Sequence, residues 1–184
     1  MVRMDPGPSL IAGFDHVWHR LGRRLAGLTD DEYLWEPVPK CWTLRPGTDG
    51  RWQLDGGGGG GPAPDPVPVT TIAWRIGHLA GMAVGGFADR LVATGSSTSA
   101  GVDFPKTAAG VDAFLATNYA RWRAGLIGVS EPDWGRPLGR KWGPYADTST
   151  CDLVLHVFDE VVHHGAEIGV LRDLYAQRGS GPSR

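Results

Sequence analysis

The stretch Leu153-Val154-Leu155-His156-Val157-Phe158-Asp159-Glu160-Val161-Val162-His163-His164-Gly165-Ala166-Glu167-Ile168-Gly169-Val170-Leu171-Arg172-Asp173-Leu174-Tyr175 decides the fold. Leu153, Val157, Val161, Ile168, Leu171 and Tyr175 recur at the spacing of one helical face, with Asp147 to Thr150 as caps and Gly179 just past the end. A helix over 149–177 follows. At roughly 100° per residue from Leu153, Val157 and Tyr175 fall at about +40°, Ile168 at about +60° and Leu171 at about 0°, so the buried stripe centres at about +30°. Glu160 falls at about −20° and His164 at about +20°, both inside that stripe. A carboxylate in a core is costly unless it is paired or bound to a metal, and an imidazole there needs partners for both nitrogens. One turn apart, the two side chains can reach a single point. This spacing fits half of a metal site, and it fits equally a buried Glu–His hydrogen bond that orders the helices without metal. His156, His163 and Glu167 lie at the stripe's edge, at about −60°, about −80° and about −40°, where supporting roles are expected and His156 is the reserve ligand. Arg172 and Asp173 fall on or near the solvent side.

Working outward, four windows contain no proline: 9–36, 69–104, 106–131 and 145–181. Proline is strongly unfavourable inside a helix, so these windows permit helices, and the apolar spacing places them at about 9–28, 70–95, 107–128 and 149–177. The first carries Leu10, Phe14, Val17, Trp18, Leu21, Leu25 and Leu28. Thr70 or Thr71 can cap the second, which ends near Gly95 and the Ser96 to Ser99 run, and Thr107 can cap the third. The reading is an all-α four-helix bundle forming one domain over 1–184. Seven of the fourteen prolines lie between Pro37 and Pro68, together with the run Gly56 to Gly61. That Gly/Pro-rich connection between helices one and two reads as a short β-hairpin, Cys41–Arg45 against Arg51–Leu54, and a flexible loop over 46–68. The glycine run lacks the Lys-Ser/Thr ending of a phosphate loop.

With 28 glycines and 14 prolines in 184 residues, the chain approaches the composition of low-complexity sequences. Eight tryptophans, 41% hydrophobic residues and a formal charge of −2 argue instead for a packed core. The near-neutral charge gives no electrostatic footprint for nucleic acid, so none is expected as a partner. The most apolar stretch, Leu79 to Leu91, is too short to span a bilayer. No membrane partner is expected. With two cysteines and no apolar leader in Met1 to Ser9, the expected location is the cytoplasm.

A third ligand has to come from another helix, and His78 in Trp74-Arg75-Ile76-Gly77-His78-Leu79 is the leading candidate. Trp74, His78 and Met82 share a face with Gly81 and Gly85 close by, though by spacing alone a satisfied core histidine is an equal reading. His16 could flank the site, and His19 is expected to be exposed. His78, Glu160 and His164 would form a His2Glu set with an open fourth position, which suits catalytic zinc. A zincin is excluded because no His-Glu-x-x-His string exists, and a di-iron carboxylate bundle because a second Glu-x-x-His is missing.

Thr71-Ile72-Ala73-Trp74-Arg75-Ile76-Gly77-His78-Leu79, together with Asp159-Glu160-Val161-Val162-His163-His164-Gly165-Ala166-Glu167-Ile168, resembles the DinB-like (DinB/YfiT) superfamily of four-helix metalloproteins. The resemblance covers almost the whole chain, including the connection around Cys41-Trp42. Many members use a His plus His-x-x-x-His. Glu160 here stands in the place of that pair's first histidine, as in the mycothiol-dependent maleylpyruvate isomerase branch. The resemblance implies His78, Glu160 and His164 as ligands of zinc or another divalent metal (nickel, iron or manganese). It implies S-transfer or isomerisation with a low-molecular-weight thiol, mycothiol or bacillithiol, acting on a small electrophile. The alternative it leaves open is a non-catalytic metal- or small-ligand-binding protein of a stress response. Arg75, Arg45 and Arg51 are candidate anion contacts, Cys41 and Cys151 read as packing residues, and an exposed face on four long helices suits a homodimer.

Overall fold

The computed structural model describes residues 5–59, 61–62, 64–92 and 101–179. Helix α1, Gly7–Leu25, buries Phe14, Val17, Trp18, Leu21 and Leu25, the face expected from their spacing. It stops three residues before the expected end. Ala26 leaves helical geometry and Gly27 follows at φ +73°. A short helix α2, Asp30–Tyr33, forms where only connection was expected, because Thr29 Oγ1 accepts from Glu32 N and three acidic residues occupy the first turn.

Strand β1, Leu44–Pro46, pairs antiparallel with β2, Trp52–Leu54, in the register Leu44↔Leu54, Arg45↔Gln53 and Pro46↔Trp52. The hairpin expected over Cys41–Arg45 and Arg51–Leu54 therefore exists, with its first strand beginning only at Leu44 and its second at Trp52. The cause lies in Trp42 and Thr43. Trp42 N donates to Val69 O and Trp42 O accepts from Thr71 N, while the Asp55 carboxylate accepts from Thr43 N. Those bonds bind the start of the hairpin to the residues that begin the next helix. β2 runs into a 3-10 turn at Asp55–Gly58.

The second long rod is one helix in three parts: α3, Ile72–Ile76, a π-helical segment, Gly77–Gly85, and α4, Gly86–Val92. Thr71 caps it, its Oγ1 accepting from Trp74 N at 3.2 Å. The expected end near Gly95 and the Ser96 to Ser99 run lies outside the described residues. Gly77, Gly81 and Gly85 make room for side chains from other elements. They admit Leu54 and Phe104, Phe114, and Asn118 respectively, so their small size serves packing against the hairpin and the third rod. That rod, α5 (Val111–Ile127), starts later than Thr107, which makes no side-chain cap; Ala108 N donates to Asp30 Oδ1 instead. Ser149 caps the fourth rod, α6 (Thr150–Gln177), by accepting from Asp152 N.

Helix α1 packs on α5 and α6, and the three-part rod packs on α5 and α6 in turn, which closes a four-rod bundle. Phe14, Ile76, Leu79, Trp122, Leu153 and Ile168 fill its centre, each 0% exposed. Arg172 corrects the sequence expectation. Its side chain is mostly buried, holds buried Glu32 through Nε and Nη2 at 2.7 and 3.1 Å, and donates to the carbonyls of Arg24 and of Ala26, the residue that follows α1. Asp173 is exposed and pairs with Arg24. No helix among the described residues is long and apolar enough to cross a membrane.

Candidate metal centre

His78 Nε2 lies 3.0 Å and His164 Nε2 3.1 Å from the same oxygen, Oε2 of Glu160. One donor atom from each of the three residues falls within 4.8 Å of the others. The stripe arithmetic on α6 and the capped start of the second rod thus bring together the three residues expected from sequence. His78 sits in the first turn of the π-helical segment, a distortion common at functional sites.

The far nitrogens determine what the near ones can do. His78 Nδ1 is 2.7 Å from the carbonyl oxygen of Gly58, an acceptor only, so this nitrogen donates. His164 Nδ1 lies 2.6 Å from Glu167 Oε2 and 3.0 Å from Arg75 Nη1. The shorter, charge-assisted bond decides: Nδ1 donates to Glu167, and Arg75 pairs with that carboxylate, its Nη2 donating to Oε1 at 3.2 Å and its Nε lying 2.9 Å from Oε2. With both Nδ1 atoms protonated, both Nε2 atoms turn lone pairs toward a carboxylate oxygen. That is tolerable only if positive charge stands between them, as a proton on each Nε2 or as one cation shared by all three. The donor set therefore fits a divalent metal, and its outer partners are the backbone carbonyl and carboxylate that normally orient ligating histidines.

Electrostatics agree with the geometry. Hydrogen bonds from His164 and His78 hold the Glu160 carboxyl well below its usual range despite burial. Burial disfavours charge on His164, but its bonds to Glu160 and Glu167 outweigh that and raise its pKa. Burial pushes the Glu167 carboxyl up, and the opposing pull of His164 and Arg75 leaves it lowered. Trp74 covers one face of the His78 ring, stacked at 5.1 Å between centroids and 11° between planes. Its indole N–H donates to Asp55 O.

The reserve ligand His156 stays outside this group, its Nε2 4.0 Å from the other Glu160 oxygen and its ring against Phe87 and Tyr145. His163 is exposed and pairs with Glu167 at 3.3 Å. A second cluster, His163, His164 and Glu167, shares His164, and the Arg75 cation on its carboxylate makes it a support for His164. His16 and His19 are on α1, and His19 is exposed as expected. Of the candidate anion contacts, Arg75 is taken up by Glu167 and Arg45 by Glu36 and Asp55. Arg51 lines a cleft of 470 Å³ with Trp52, Leu54 and Met82. Sequence reasoning missed the Gly58 carbonyl, which no side-chain pattern signals. Glu167, three residues beyond His164 at the stripe's edge, takes the supporting role expected of it.

No curated protein and no solved structure matches the chain in these comparisons. The family model of the DinB superfamily matches residues 13–168, a span that includes His78, Glu160 and His164 and most of the four rods. On that match, which spans most of the chain, the chain belongs to the DinB superfamily.

Proposed function

We propose that His78, Glu160 and His164 hold a divalent metal ion, zinc first and nickel, iron or manganese as alternatives. We propose further that the chain serves thiol-dependent S-transfer or isomerisation of a small electrophile, with a low-molecular-weight thiol such as mycothiol or bacillithiol as cosubstrate. The observation that carries the first part is the convergence of three donor atoms within 4.8 Å, with the opposite nitrogen of each imidazole already engaged. Three protein ligands are the usual complement of catalytic zinc, which keeps a further position open. A divalent ion in such a set lowers the pKa of a thiol bound beside it.

The chain's own residues prepare the site. Gly58 and Glu167 hold the two rings with Nε2 facing inward, and Glu160 adds a negative charge to the donor set. Arg75 offsets the charge of Glu167, and Trp74 keeps water from one face of His78. Burial raises the thiol pKa of both Cys41 and Cys151, which leaves them weak nucleophiles and favours a thiol brought from outside. The thiol's identity rests on the resemblance at Glu160-x-x-x-His164.

The test is elemental analysis of purified protein, followed by calorimetric titration and S-transfer assays with mycothiol and bacillithiol on model electrophiles. One metal per chain, lost in His164→Ala, is expected. Metal at that level with no thiol binding would assign the chain to a non-catalytic metal- or small-ligand-binding role. Metal absent from wild type, or unchanged in His164→Ala, would sink the centre.

A further inference from the structure

Gly56, Gly57, Gly58 and Gly59 all adopt positive φ, at 64°, 65°, 78° and 89°, a conformation disfavoured for residues with a side chain. The turn they form is held on three sides. A Cβ on Gly56 would enter the Trp42 ring, and one on Gly58 would lie 3.3 Å from Met82 Cγ and 3.4 Å from Leu54 Cδ1. One on Gly59 would stand 3.2 Å from His78 Nδ1 and 3.3 Å from both His78 Cε1 and Trp74 Cη2. Only Gly57 of the four faces open space. Asp55, at the head of the turn, is tied to Thr43 through backbone and carboxylate and accepts from the Trp74 indole. The turn meets the proposed ligands through the bond from His78 Nδ1 to Gly58 O.

The geometry points to the Gly56–Gly59 turn as a positioning element for His78. The Gly58 carbonyl fixes the proton on Nδ1 and the orientation of the ring, so that Nε2 is presented to Glu160 and His164. Glycine suits position 59 because its φ is positive and because a Cβ there would press on the ring's edge beside that carbonyl, at 3.2 Å from Nδ1. Trp74 acts from both sides of the arrangement, stacking on the ring and anchoring the start of the turn. This role rests on the metal-centre reading only for its effect on metal affinity; the hydrogen bond itself can be tested without metal.

Gly57→Ala and Gly59→Ala make the comparison. Both put an L side chain at positive φ, but only residue 59 meets His78. In ¹⁵N-labelled wild-type protein, with and without zinc, the His78 Nδ1 proton is expected as a protected ring N–H resonance. Gly59→Ala is expected to lose that resonance and weaken cobalt(II) binding by about tenfold or more, with an altered ligand-field spectrum. Gly57→Ala keeps both. Equal losses in the two variants, or retention of both resonance and affinity in Gly59→Ala, would overturn the role. So would absence of the protected proton from folded wild type, which needs no variant. If wild type takes up no cobalt, the metal centre fails, and the ring proton alone decides the positioning role.

Discussion

Glu160 is the residue on which two histidines converge, and its environment sets the pH behaviour of the metal-free protein. Its folded pKa lies below the ordinary 4.5, so the stabilisation from its bonds is present above that value and lost as pH falls through the folded one. His164 runs the other way. Its folded pKa lies above the ordinary 6.5, so its contribution is complete below 6.5 and lost as pH rises through the folded value. Chelator-treated protein should therefore melt highest between about pH 4.5 and 6.5, and Glu160→Gln should flatten the profile in thermal melts across that range. A metal must displace any proton on Nε2, so metal affinity should rise with pH through the raised His164 value. Glu167→Gln, which keeps the shape and removes the charge behind His164, should weaken metal binding by about 10- to 100-fold in competition titrations. At this scale the sequence was informative where periodicity speaks. Glu160 and His164 stood out because they are charged positions on an apolar stripe, and Glu167 because it lies one turn further on. His78 could be named but not distinguished from a core histidine, because the group that orients its ring is a backbone carbonyl twenty residues away in sequence.

The four rods were legible from proline-free windows and apolar spacing, and their described ends moved by only a few residues. What spacing could not show is the π-helical segment Gly77–Gly85, whose glycines give way to Leu54, Phe104, Phe114 and Asn118 from neighbouring elements. Gly85→Ala should test that packing, since its Cβ would overlap Asn118 Oδ1 and lie 3.0 Å from Ala80 O. The expected cost is about 1–3 kcal/mol in urea unfolding. Arg172 was misplaced for a related reason: at about +100° on α6 it borders the stripe, and only the path of α2 brings Glu32 against it. Removing one partner of a buried pair leaves the other charge uncompensated, so Arg172→Ala should cost about 3–5 kcal/mol. A Glu32→Leu, Arg172→Met double variant should recover much of that, measured by the same unfolding curves.

At the scale of the whole molecule, the proposed ligands lie on two rods, the three-part rod and α6, and the turn after β2 supports one of them. A metal bound there favours the native state over the unfolded one by mass action. Zinc in excess of its dissociation constant should raise the melting temperature, by an amount that grows with concentration, and chelation should reverse it. The hairpin and the Thr29 cap show how much of the connection is ordered by local chemistry that composition alone does not reveal. The separation of His78 from Glu160 along the chain, 82 residues, also has a kinetic meaning. Helix α6 alone offers two donors, and the third arrives only when a long loop has closed and two rods have docked, a step slower than helix formation. Metal capture should therefore be among the last events of refolding. In stopped-flow refolding with cobalt(II), far-ultraviolet dichroism should recover first and the visible cobalt bands afterwards, so that colour marks the moment the bundle is complete.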